Sequence, residues 1–168
     1  MTAALCALLF SFGATTVAAQ NAQQNTTIKA THGAWEVRCS TENASACLMA
    51  QIGKNAEGAP VIQVLLRKTP NLKGPKGEPV SAVMEIFAPI GVFLPAGLAV
   101  KIDGAEVGRG IYRYCDPRAC VVAEPIQDDF ISKLKKGSNA TMTIVSINNE
   151  SANITLSLSG FTKAYNGL

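Results

Sequence analysis

The chain is predicted to fold as an all-β, antiparallel β-sandwich. Three observations point there: short runs alternate apolar and polar residues, turn-forming residues recur between them, and four cysteines remain in an even set once an apolar N-terminal segment is set aside. Short alternating strands bounded by turns are the pattern of a sandwich. An even cysteine count in an exported chain reads as a disulfide set.

Residues 1–19, MTAALCALLFSFGATTVAA, carry no charge, hold an apolar stretch from Ala3 to Phe12 and end in small residues before Gln20. This reads as a secretory signal peptide. The usual basic n-region is missing, so the true translation start is expected upstream. The apolar run is shorter than the about 20 residues a membrane span needs, and no transmembrane segment is expected after cleavage. Removing 19 of 168 residues leaves 149, enough for one domain that buries roughly two-thirds of its unfolded surface. Residues 20–32, rich in Gln, Asn and Thr without apolar periodicity, read as a flexible leader. The single domain is then expected over 33–168.

"WEVRC" opens the domain, with Trp35, Val37 and Cys39 on one face and Glu36 and Arg38 on the other, the period of a half-buried strand. Trp35, with its large apolar area, is expected in the core. "CLMAQIG" and "PVIQVLLRK" read as the next two strands, the second apolar enough to be central. "TPNLKGPKGEP", residues 69–79, holds three prolines and two glycines and reads as a long exposed loop. Two strands flank the Pro- and Gly-rich stretch 89–97. "GRGIYRYC" and "CVVAEPI" flank "CDPRAC", which places a turn between Cys115 and Cys120 at the tip of a hairpin. One short helix is expected at about 128–136: Asp128 and Asp129 start it, Phe130, Ile131 and Leu134 fall at helical intervals, and Lys135-Lys136-Gly137 ends it. "ATMTIVSIN" and "NITLSLSGF" form a closing hairpin, with either Met142 and Ile144 or Val145 and Ile147 facing the core. The total is eight or nine strands and one helix.

Four cysteines admit three connectivities. Each near pair brackets turn-forming residues, so two local disulfides, Cys39 with Cys47 and Cys115 with Cys120, are expected. A metal is not expected, because zinc favours C-x2-C spacing or nearby histidines and His32 is the one histidine. A redox pair would want C-x-x-C at a helix N-terminus, whereas Pro117 lies in the loop and a strand-like run follows it.

In order along the chain, "WEVRC", "CLMAQ", "IGVFLPAGLAVKIDG", "YRYCDPRACVVAEPI" and a helix ending in "LKKG" resemble the invasion-associated locus B family of exported bacterial proteins. The resemblance covers about residues 33–162. Ala119 stands where the family often has glycine before the final cysteine. The resemblance implies an immunoglobulin-like β-sandwich in the periplasm or cell envelope of a Gram-negative bacterium, with an association with host-cell invasion. It implies no enzyme activity, no cofactor and no catalytic residues, and fold alone does not give chemistry.

The residues agree with that expectation. No G-x-S-x-G, H-E-x-x-H or P-loop is present. His32 reads as a surface or packing residue, and Asp103 before Gly104, like Asp116 before Pro117, reads as a turn former, not as one of a carboxylate pair with Glu106. The sequons at Asn25, Asn43, Asn139, Asn149 and Asn153 read as Asn-rich turns in a bacterial chain. Fifteen basic against twelve acidic residues give +3, too mild for nucleic acid. Arg67, Lys68, Lys73 and Lys76 gather around the 69–79 loop, and Arg109, Arg113 and Arg118 around the second cysteine pair. If the two groups adjoin at one end of the sandwich, Lys73, Lys76, Arg113 and Arg118 would face an anionic glycolipid or an envelope or host protein. The leading expectation is therefore a non-enzymatic periplasmic or envelope binding protein. The alternatives are a secreted or surface-exposed virulence factor and, less favoured, a thiol-redox or other envelope enzyme.

Overall fold

Alternation along "WEVRC" does put Trp35, Val37 and Cys39 in the core and leaves Glu36 and Arg38 half-exposed. The computed structural model, which describes residues 26–168, repeats this period-2 logic from strand to strand. The strands are β1 (Thr26–His32), β2 (Trp35–Ser40), β3 (Cys47–Lys54), β4 (Pro60–Lys73), β5 (Pro79–Ala88), β6 (Leu98–Ile102), β7 (Ala105–Gly110), β8 (Tyr112–Cys115), β9 (Cys120–Ile126), β10 (Asn139–Val145) and β11 (Ser151–Ser157). All pair antiparallel in one sheet of order β7-β6-β10-β11-β3-β4-β5-β9-β8, with β2 on β3 and β1 on β2. The sheet folds over on itself and encloses one core, to which β4 gives Ile62, Val64 and Leu66, β5 gives Ala82, Met84 and Ile86, and β10 gives Met142 and Ile144. The face carrying Met142 and Ile144 is thus the inward one, and Ile147 lies exposed in the β10–β11 turn. The antiparallel sandwich, the helix over 128–136 and the two local disulfides are as expected.

Helix α1 (Asp128–Lys136) buries Ile131 and Leu134. Its N-cap is Gln127, one residue earlier than the sequence suggested, and the Asp128 carboxylate accepts the Ser81 hydroxyl at 2.6 Å. Acids in its first turn and lysines in its last suit the helix dipole.

Three expectations are corrected. The leader does not extend to residue 32, because Thr26–His32 is strand β1, paired with β2 from Thr26↔Ser40 to His32↔Trp35. Most of β1 is exposed, so it carries no apolar period; its ladder hydrogen bonds order it instead. The signal-peptide segment 1–19 lies outside the described residues. Residues 69–79 are not a long loop. β4 runs on to Lys73 through an irregularity between Lys68 and Leu72, and Pro79 already pairs with Lys73. Pro70 and Asn71, with φ of 68°, occupy that irregularity, where a ladder N–H is dispensable. A tight turn remains, closed by Gly74 N–H to the Glu78 carbonyl at 2.8 Å. Finally, the strand expected through Phe161 stops at Ser157, and a second helix, α2 (Phe161–Asn166), follows.

Helix α2 buries Phe161, Ala164 and Tyr165, spaced three and four apart. Phe161 meets Trp35 edge to face with centroids 5.3 Å apart, and Tyr165 stacks on Phe161. Lys68 and Lys135 place their ammonium groups over the Tyr165 ring at 4.8 and 4.7 Å. The β1–β2 turn abuts the start of this helix so closely that a Cβ on Gly160 would stand 1.9 Å from the His32 carbonyl oxygen. Glycine is required there by the approach of two backbones, and by its φ of 85°.

Candidate functional site

The four residues singled out as partner-binding do not form one surface. Lys73 ends β4 and pairs with Pro79, and Lys76 lies in the adjoining turn with its N–H on the Glu78 carboxylate. Cys120 pairs with Ala88, at the other end of the 10-residue strand β5. At about 3.3 Å per residue the two ends lie about 30 Å apart. Three of the arginines are also locally paired: Arg113 binds Glu124 at 3.1 Å, Arg118 binds Asp116 at 3.2 Å and Arg67 binds Glu85 at 2.6 Å. The composite basic patch is therefore replaced by separate charges, with both Arg113 and Arg118 paired to acids.

Both disulfides join residues directly opposite each other in register, Cys39 with Cys47 and Cys115 with Cys120, each with Cα atoms 4.0 Å apart. They staple the ends of hairpins, and among the described residues they use every cysteine. Within the second loop the Asp116 carboxylate accepts the N–H groups of Arg118 and Ala119, which hold it below the ordinary carboxylate range. Asp103 does the same for Ser138 and Asn139, tying the β6–β7 turn to the start of β10, and its pKa is lowered for the same reason. Both acids thus serve backbone geometry. Burial pushes the Tyr112 phenol up to about 12, and among the described residues its hydroxyl has no hydrogen-bond partner.

A polar concavity lies elsewhere, where the sheet forks. On one side of β3, strand β2 pairs from Cys47 to Ala50, and β11 pairs only at Lys54. Gln51, Ile52 and Gly53 lie between, where β2 and β11 splay apart. The fork is braced at its base by one carbonyl: Ser157 O accepts the Trp35 indole N–H at 3.0 Å and the Gln51 amide at 2.8 Å. Among the described residues Gln51 is the one polar side chain in the buried set, and this bond is what its burial requires. Above it opens a groove of about 510 Å³, within the 300–1,000 Å³ usual for ligand sites.

Ala34, Ala50 and Ile52 give the groove an apolar floor, and Gln51, Gln63, Asn139, Thr155 and Ser157 line it with amides and hydroxyls. Its charges are Lys54 and the Glu36–Arg38 pair, in which Arg38 places both Nε and Nη2 on one Glu36 oxygen at 2.9 and 2.7 Å. Amides that both donate and accept, beside one ion pair that can reopen, suit the main chain of an extended polypeptide. No lining residue is aromatic, so the groove offers no stacking face. Sequence reasoning missed this site because its residues come from five strands. Only the polar Gln51 on the inward face of an apolar strand hinted at it.

Among the described residues no helix is long and apolar enough to cross a membrane. The family model for the invasion associated locus B (IalB) protein matches residues 35–168. Invasion protein B homologues from two Brucella abortus strains, 2308 and biovar 1 strain 9-941, are each 28% identical over 141 residues, covering 82% of this chain and 77% of theirs. The crystal structure of invasion associated protein B from Bartonella henselae superposes with a TM-score of 0.65 at 18% identity, covering 84% of this chain and 94% of that one. That likeness agrees with the antiparallel architecture described above, and with the family match it assigns the chain: it belongs to the invasion associated locus B family.

Proposed function

We propose that this chain is an exported, non-catalytic protein of the bacterial envelope that works by holding an extended segment of a partner protein in the groove at the fork of its sheet. The observation that carries the reading is the groove itself, lined by amides and hydroxyls on strands that the Trp35 and Gln51 bonds to Ser157 O brace together. Export is supported by the signal-like residues 1–19 and by two disulfides, which persist in oxidising compartments. A second reading, in which the protein is secreted or displayed and contacts host cells, is favoured by the invasion-protein designation of its relatives. Protease treatment of intact cells separates the two, since only a displayed protein is degraded.

The groove is tested by replacing Arg38 and Lys54 together with alanine. Both are exposed enough that the melting temperature should barely change. Chemical crosslinking in spheroplasts should give an adduct of defined mass with the wild type and a several-fold weaker one with the variant. An adduct of undiminished strength would remove the groove from the account.

A further inference from the structure

β7 and β8 are consecutive parts of one extended segment, separated by Ile111 alone, and they are also the two ends of the sheet order. The sheet closes where that segment turns its corner. A Cβ on Gly110 would stand 2.5 Å from Val122 Cγ1, so β7 meets β9 there at a distance that only glycine permits. Beyond the corner the strands diverge. Over Ala105–Arg109 β7 pairs only with β6, and over Ala123–Ile126 β9 pairs only with β5. Two strand edges therefore face each other with no strand between them, and Pro125, which has no N–H, is suited to such an edge.

Between these edges a slot of about 200 Å³ opens toward the core, floored by Met84, Ile86 and Val100 and walled by Val107, Ile126 and Phe130. Gly108 keeps it open. It pairs with Val100 and so shares the inward face, yet a Cβ there would meet nothing within 4 Å, and its φ is not positive. Neither crowding nor backbone geometry calls for glycine, which is a weak strand former, and a long side chain at this slot-lining position has room to reach into the slot.

The slot's size, edges and charge each favour the same occupant. Its volume falls below that of sites for drug-sized ligands, about 300 Å³, and above the roughly 150 Å³ that admits a benzene-sized group, so it fits one large apolar side chain. On the β9 lip the Ala123 carbonyl already accepts from Arg113 Nε at 3.2 Å, and the other main-chain groups that no strand pairs along Ala105–Arg109 and Ala123–Ile126 suit an extended backbone better than a lipid tail. Two charged side chains line the slot. Glu124 is already satisfied by the Ile111 N–H and by Arg113, whereas Arg109 donates to the neutral Ala96 carbonyl and meets no carboxylate among the described residues. The uncompensated charge is positive.

We propose that this seam receives an extended segment of a partner protein by strand addition, with one large apolar side chain entering the slot beside Gly108 and a neighbouring acidic residue meeting Arg109. The seam is separate from the groove at the fork, and neither proposal depends on the other.

The test is to pan a phage-displayed library of random octapeptides on the mature, disulfide-bonded protein and to measure the enriched peptides by fluorescence polarisation. The expected peptides place Leu, Ile, Met or Phe within two residues of Asp or Glu. Gly108→Leu, which fills the slot, should weaken them at least tenfold, and Arg109→Gln severalfold with loss of salt dependence. Lys136→Gln, a matched charge change on α1, should leave them unaffected. If Gly108→Leu lowers the melting temperature, Gly108→Ala takes its place with a smaller expected loss. Failure to enrich any peptide, or enrichment of peptides indifferent to both substitutions, overturns the proposal. Decanoate binding that Gly108→Leu abolishes, without peptide binding, would make the slot a lipid site and overturn it equally.

Discussion

Trp35 joins the core to the fork, and Trp35→Ala is predicted to be among the most damaging single changes in the chain. The side chain is 1% exposed, its ring edge meets Phe161 at 5.3 Å, and its N–H is one of two donors on Ser157 O. Deleting a large buried aromatic costs about 3–5 kcal/mol, and an edge-to-face pair contributes about 0.5–1.5 kcal/mol of that. The hydrogen-bond part is small, because Gln51 still satisfies the carbonyl. Trp35→Phe, which keeps a ring against Phe161 and leaves only part of the indole volume empty, should therefore cost about 1–2 kcal/mol. Urea unfolding with the disulfides intact reads the difference. With a slope of about 2 kcal/mol per molar, Trp35→Ala should lower the midpoint by about 2 M and Trp35→Phe by less than 1 M. Because Trp35 is the one tryptophan, native fluorescence reports on it directly and should be blue-shifted. Solvent-exposed emission, or a midpoint change under about 0.5 M for Trp35→Ala, about a quarter of the expected effect, would refute the placement.

Non-reducing peptide mapping should return Cys39 linked to Cys47 and Cys115 to Cys120, and removing either disulfide by paired serine substitution should cost about 2–3 kcal/mol by the loop-closure estimate. Asp103→Ala should destabilise the protein at neutral pH by freeing the Ser138 and Asn139 N–H groups. The Asp103 pKa is depressed below 3.8 in the folded state, so its contribution is full above that value and is lost as pH falls through the folded pKa. The stability gap between wild type and variant should accordingly close in strong acid; a gap independent of pH would contradict this role.

The features legible in the sequence were those written into consecutive residues. Alternation placed Trp35, Val37 and Cys39 inward, acids and lysines bounded α1, and cysteines around Asp116-Pro117 marked a stapled hairpin. β1 was hidden because an exposed edge strand needs no apolar period. The 69–79 stretch misled because its prolines and glycines punctuate a bulged hairpin as readily as a loop. Helix α2 left a readable trace, Phe161, Ala164 and Tyr165 at helical spacing between Gly160 and Gly167, but in only six residues. The groove and the seam were out of reach for a different reason. Each depends on which strands pair, and nothing within β3 announces that β2 and β11 will part along it.

Whether the fork holds a partner is most directly tested by photo-crosslinking in living cells, with benzoylphenylalanine replacing Ile52 on the groove floor and, as a control, Lys163 on the exposed side of α2. Ile52 is 47% exposed, so the substitution should leave folding intact. The account predicts an ultraviolet-dependent adduct of defined mass from position 52 and none from position 163. Equal labelling from both positions, or none from position 52 in cells that make the folded, oxidised protein, would contradict it.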